Sequence, residues 1–118
     1  MIHGIGIEIV DMERFRIIIE RRGQGFLERL FTPDEIAYCV LQRRSHEHFA
    51  GRFAVKLAVI KAAGRELRLK FKDVEVVRGK NGRPQICATR LGPEFNVAVS
   101  ISHDGGLGVG QAIIERRL

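Results

Sequence analysis

Near the start of the chain, Ile5, Ile7 and Ile9 alternate with Gly4, Gly6 and Glu8. A period of two is the signature of a β-strand, whose side chains point to opposite faces in turn. The stretch Ile2 to Val10 therefore presents an isoleucine face and a face of two bare α-carbons beside one carboxylate. With no Cβ on that second face and a charge beside it, something can approach it closely.

Helix signals follow. Asp11 is an N-cap, Met12, Phe15, Ile18 and Ile19 form an apolar stripe, and Gly23 is a stop. Arg14 and Arg21, seven positions apart, lie along one exposed side. Thr32-Pro33-Asp34-Glu35 combines a threonine cap, a proline at the first helical position and a glutamate at the third, and opens a helix to about Arg43. The longest predicted helix runs from Glu47 to Ala63, with Phe49, Phe53 and Ile60 on its buried face and Gly64 at its end.

Strands occupy the remainder. Val74, Val76 and the segment Gln85 to Ala88 flank Lys80-Asn81-Gly82-Arg83, a hairpin with Asn-Gly at its turn. Val97, Val99 and Ile101 alternate, and Asp104-Gly105-Gly106 turns the chain into Leu107 to Ile114. An N-terminal strand, then helices, then an antiparallel β-meander define an α+β fold, predicted as a single domain over residues 1–118.

Composition narrows the function classes. With 45% hydrophobic and 29% charged residues, the chain has ordinary globular composition. No apolar run approaches the ~20 residues of a membrane span. No leader with an apolar core and a small-residue cleavage site opens the sequence, so a cytoplasmic location is expected. Cys39 and Cys87 form no C-x-x-C pair and read as free thiols. The net charge of +6 favours an anionic partner. Nucleic acid is not the expected one, because no RNP, zinc-finger or KH pattern is present. His46 and His48 do not face the same way on a helix and read as surface residues.

Several segments resemble the holo-[acyl-carrier-protein] synthase family of small 4′-phosphopantetheinyl transferases. Gly4-Ile5-Gly6-Ile7-Glu8-Ile9-Val10 is similar to its opening G-x-G-x-D-I. Gly51-Arg52-Phe53-Ala54-Val55-Lys56-Leu57-Ala58 with Lys61-Ala62 is similar to G-R-F-A-x-K-E-A-x-x-K-A. Asn81-Gly82-Arg83-Pro84 matches an N-G-[KR]-P hairpin, Ser100-Ile101-Ser102-His103 matches S-[IL]-[ST]-H, and Gln111 to Glu115 matches the closing strand. The motifs occur in the family order along essentially the whole chain.

The resemblance implies transfer of 4′-phosphopantetheine from coenzyme A to a serine of an acidic apo acyl carrier protein, releasing 3′,5′-ADP. It implies Mg2+, and a homotrimer with active sites between subunits. It makes Glu8 a metal ligand and catalytic residue, and Lys61 a catalytic residue that also meets coenzyme A. It places Arg52, Lys56, Gly82, Arg83, Pro84 and His103 at the coenzyme A site. Arg14, Arg21 and Phe26 become the docking surface for the carrier protein.

The chain departs from the family pattern at two metal-ligand positions. Glu8 stands for an aspartate and is one methylene longer, and Leu57 stands for a glutamate and offers no oxygen. The sequence is therefore compatible with a transferase that uses Glu8 as its carboxylate. It is also compatible with a catalytically impaired homologue that binds coenzyme A or carrier protein without efficient turnover.

Overall fold

The computed structural model describes residues 1–117. Strand β1 (Ile2–Asp11) leads into helices α1 (Met12–Arg22), α2 (Gln24–Leu30), α3 (Pro33–Val40) and α4 (Ser45–Leu67). A single 3₁₀ turn at Phe71–Asp73 precedes β2 (Glu75–Arg78), β3 (Pro84–Cys87), β4 (Phe95–Asp104) and β5 (Leu107–Arg116). The expected α+β class is present, with one difference in the strands. The C-terminal half does not make a single meander. β2 and β3 form a separate hairpin, while β4 and β5 pair with each other and β5 pairs with β1, all antiparallel, in the order β1-β5-β4.

Local chemistry accounts for the boundaries. Asp11 accepts a hydrogen bond from the Arg14 amide and caps α1. Thr32 and Glu35 form a reciprocal capping box at the start of α3. Gly64 leaves helical geometry at φ 68°, ψ −168°, so the regular part of α4 ends where the sequence predicts. Helix α2 was not expected. Glycines at positions 23 and 25 flank its start, and its cap position supplies no side-chain bond that a sequence could advertise.

The group that approaches the glycine face of β1 is α4. A Cβ added to Gly4 would lie 2.0 Å from the Ala62 carbonyl oxygen, and one added to Gly6 would lie 1.9 Å from that of Ala58. On the adjacent strand, a Cβ at Gly110 would lie 2.5 Å from the Ala54 carbonyl carbon. Glycines on the sheet and alanines on the helix thus form a seam of backbone against backbone. This corrects the expected buried face of α4. Phe49 is buried, but Phe53 and Ile60 are only half-buried, and Ala54, Val55, Ala58, Val59, Ala62 and Ala63 face the sheet. A second cluster, including Met12, Phe15, Leu27, Phe31 and Phe49, joins α1–α3 to the first half of α4.

The opposite face of the sheet has no cover among the described residues. Ile5, Ile7 and Ile9 are 66%, 53% and 60% exposed, and Ile113 on β5 lies on the same side. Ile5, Ile7 and Ile113, together with Ala98 and Gln111, line a shallow groove of about 390 Å³.

Candidate active site

Helix α4 carries Arg52, Lys56 and Lys61 of the predicted site, and two concavities lie along it. Near its C-terminal half, Glu8 projects from the glycine face of β1, and its Oε2 lies 2.5 Å from Lys61 Nζ. The Glu8 side chain is largely shielded, whereas that of Lys61 is 56% exposed. These two residues were predicted from distant parts of the sequence, and the fold brings them into contact.

Beside that pair is a groove of about 390 Å³ lined by Glu8, Asp11, Arg14, Phe15, Ile18, Phe53, Leu57 and Leu107 among others. Leu57 is half-buried in this wall, not absorbed into the core. Arg14 opens on the same groove from α1. Arg21 is exposed on the same helix, and Phe26 is half-buried against Phe15, with the Arg22 guanidinium 5.8 Å from its ring centre.

The donors near Glu8 test the implied metal. Among the described residues there is no group of three or more His, Cys, Asp or Glu side chains able to hold an ion. Glu8 supplies one carboxylate, Leu57 supplies none, and Asp11 is engaged as a helix cap. Magnesium typically takes one or two protein carboxylates and fills its shell with phosphate oxygens and water. The residues fit a magnesium ion held by Glu8 and otherwise by substrate and water.

The second concavity lies toward the N-terminal half of α4. One part is lined by Met12, Glu47, His48, Gly51, Arg52 and His103, among others. The adjoining part is lined by Tyr38, His48, Arg52, Arg78, Gly82 and Pro84, among others. Predicted residues Arg52, His103, Gly82 and Pro84 therefore converge here. Gly82 sits at the hairpin tip with φ 74°, a left-handed conformation that favours glycine. Arg83 is exposed and does not line either part; Arg78 is the hairpin arginine that does.

Lys56 is corrected outright. Its side chain has no solvent exposure, and Nζ lies 2.5 Å from Glu35 Oε1. Glu35 also accepts hydrogen bonds from the backbone amides of Thr32 and Val76. This buried pair ties α3, α4 and β2 together and lines neither concavity. Burial pushes the Lys56 ammonium below its ordinary pKa, against the opposing pull of Glu35.

Three residues of the cationic cavity were missed in the sequence: Tyr38, Arg78 and His48. The Arg52 guanidinium stacks 4.3 Å from the Tyr38 ring centre, and Arg78 Nη1 donates to the Tyr38 hydroxyl at 2.9 Å. His48 is half-buried, not a surface residue, because it lies one turn before Arg52 on α4. That four-residue spacing was the available signal. Burial lowers the His48 pKa, and Arg52, Arg78 and His103 add to the effect while Glu47 opposes it.

Comparison with known proteins finds relatives that match nearly the full chain. Residues 4–114 match the 4′-phosphopantetheinyl transferase superfamily. The chain is 42% identical to the holo-[acyl-carrier-protein] synthase of Geobacter sulfurreducens, over 98% of this chain and 99% of that one. It is 44% identical to that of Geobacillus kaustophilus, over 98% and 91% respectively. The fold is similar to a crystal structure of the Bacillus anthracis holo-(acyl-carrier-protein) synthase in complex with CoA (3′,5′-ADP), with a TM-score of 0.84, 33% identity and 98% coverage of both chains. It is also similar to the Helicobacter pylori synthase in complex with coenzyme A, with a TM-score of 0.79, 30% identity and coverage of 94% of this chain and 99% of that one. On this full-length likeness in sequence and fold, the chain belongs to the holo-[acyl-carrier-protein] synthase family of 4′-phosphopantetheinyl transferases.

Proposed function

We propose that this protein transfers 4′-phosphopantetheine from coenzyme A to a serine hydroxyl of an apo acyl carrier protein. The observation that carries this reading is the Glu8–Lys61 contact at 2.5 Å, with a separate cation-rich concavity farther toward the N-terminal end of α4. In the reaction, the serine oxygen bonds to the phosphorus that bears pantetheine. The bond from that phosphorus to the bridging oxygen breaks, 3′,5′-ADP leaves, and the serine proton is released to water. Charge on the phosphate oxygens must be met by cations held in place. Lys61 brings one such cation to the reacting phosphates, and Glu8 orients it. Magnesium, held by Glu8, would supply further positive charge at the pyrophosphate.

Arg52, His103 and the hairpin tip at Gly82 and Pro84 are assigned to the coenzyme A nucleotide, with exposed Arg83 available at its rim. Arg14, Arg21 and the partly exposed Phe26 are assigned to the acidic carrier protein. The uncovered isoleucine face supports a homotrimer with sites between subunits, since an antiparallel sheet with apolar residues on both sides needs cover on both. No helix among the described residues is long and apolar enough to cross a membrane, which accords with action on a carrier protein in the cytoplasm.

Mass spectrometry of apo carrier protein after incubation with coenzyme A, Mg2+ and this protein tests the proposal. A gain of one phosphopantetheine is expected. Leu57 in the wall beside Glu8 supports a second reading, a homologue with impaired turnover. That reading predicts that coenzyme A binds while the carrier stays unmodified.

A further inference from the structure

Tyr38 stands between two arginines that no carboxylate among the described residues neutralises. From α4, Arg52 is buried and stacks on the Tyr38 ring, its guanidinium carbon 4.3 Å from the ring centre. Its Nε has no hydrogen-bond partner although it is buried. From the end of β2, Arg78 donates Nη1 to the Tyr38 hydroxyl at 2.9 Å, and its guanidinium carbon is 5.6 Å from the same ring centre. Neither arginine makes an ion pair with a carboxylate among the described residues. No Asp or Glu lines the part of the cavity that both enter. Glu47 lines the adjoining part, where Arg44 and His46 lie within 4 Å of it.

Two guanidinium groups repel each other and need a reason to share a cavity. A carboxylate would hold them, but it would also occupy the donors that an anionic ligand needs. Tyrosine solves this differently. Its ring face attracts one cation and its hydroxyl oxygen accepts from the other, and neither contact cancels charge. The hairpin leaves room for the result, since a Cβ at Gly82 would lie 2.9 Å from Arg78 Nη2. Planar guanidinium groups with free N–H donors match phosphate oxygens well.

We infer that Tyr38 is a positioning residue, whose ring and hydroxyl hold Arg52 and Arg78 as an unneutralised pair that clamps the phosphate monoester of coenzyme A. The monoester is favoured over the pyrophosphate because it carries the larger charge on one phosphorus. This inference rests on the placement of the coenzyme A nucleotide in this cavity.

Calorimetric titration of coenzyme A and of dephospho-coenzyme A separates the two claims. The wild type is expected to bind coenzyme A at least about tenfold more tightly than dephospho-coenzyme A. Tyr38→Leu should remove most of that preference while leaving dephospho-coenzyme A affinity within about twofold. Tyr38→Phe keeps the ring and loses the hydroxyl, so an intermediate preference is expected. If a folded Tyr38→Leu keeps the full preference, or loses affinity for both ligands alike, Tyr38 does not act in this way. Should Tyr38→Leu fail to fold, Tyr38→Phe decides: an unchanged preference overturns the inference and a reduced one supports it. An Arg52→Met variant with wild-type affinity for both ligands would instead sink the placement of the nucleotide, and a wild type without preference would sink the assignment of the monoester.

Discussion

Lys56 Nζ lies 2.5 Å from Glu35 Oε1, and neither side chain is exposed to solvent. Removing one member of such a pair leaves the other charged and without its partner in the interior. Lys56→Met should therefore destabilise the fold by about 3–5 kcal/mol, measured by urea unfolding. Replacing Glu35 by Gln in the same chain should recover part of the loss, since no uncompensated charge then remains. A Lys56→Met protein of wild-type stability would show that the pair does not organise α3, α4 and β2 as described.

Gly6→Ala should be among the most damaging small substitutions in the chain. Its Cβ would meet the Ala58 carbonyl oxygen at 1.9 Å, and a helix backbone cannot swing aside as a flexible side chain can. A loss of at least about 3 kcal/mol is expected, at the upper end of ordinary overpacking. Thermal unfolding and circular dichroism check this directly, and a loss below 1 kcal/mol (roughly, on the same overpacking scale) would mean that the seam yields easily.

Leu57→Glu should raise magnesium affinity in the presence of coenzyme A, and transferase rate with it. Leu57 lines the same groove as Glu8 and is half-buried, so a carboxylate there keeps contact with water. A second carboxylate would fix the ion more firmly where charge develops. Magnesium titration and the carrier-modification rate are the measurements. A folded variant with no gain in either would show that the missing ligand does not limit this site.

Acid should weaken the fold in part through His48. Its folded-state pKa is lowered, by burial first and then by Arg52, Arg78 and His103 against the opposing Glu47. As pH falls through about 6.5, the unfolded chain protonates this histidine before the folded one does, so stability falls with pH in that window. Melting temperatures compared at pH about 7.5 and about 5.5 should drop more in the wild type than in His48→Gln. Equal drops would remove His48 from the acid response.

Ile7→Asp should prevent the proposed trimer from assembling. Ile7 is 53% exposed in the isolated chain, in the middle of the uncovered sheet face. Burying an unpaired carboxylate there would oppose association. Sedimentation velocity at micromolar concentration is expected to show a trimer for the wild type and a smaller species for the variant. A wild-type monomer would exclude both the trimer and sites shared between subunits.

The alternation at Ile5, Ile7 and Ile9, the capping box at Thr32 and Glu35, the stop at Gly64 and the Asn81-Gly82 turn were legible because each depends on residues close in sequence. Glu8 with Lys61 was legible only through motif likeness, since strand and helix are far apart in the chain. Lys56 was misread for the complementary reason. It and Arg52 are one turn apart and equally basic, but Glu35 on another helix claims Lys56 alone. Tyr38 gave no signal, because a tyrosine on α3 becomes informative only when arginines from α4 and β2 meet it. The arrangement of β2 and β3 apart from the main sheet was hidden likewise, since strand order depends on long-range packing.

The glycine seam also insulates the chemistry from ordinary sequence drift. Where a helix rests on a sheet through bulky side chains, each change of side-chain volume moves the helix, and every group it carries moves with it. Here the spacing of α4 from β1 is set at Gly4 and Gly6 by main-chain atoms that every sequence shares. Val55 and Val59 can exchange for other apolar residues without resetting the reach from Glu8 to Lys61. The reach across the site therefore depends less on the apolar residues of α4 than on the places that carry no side chain.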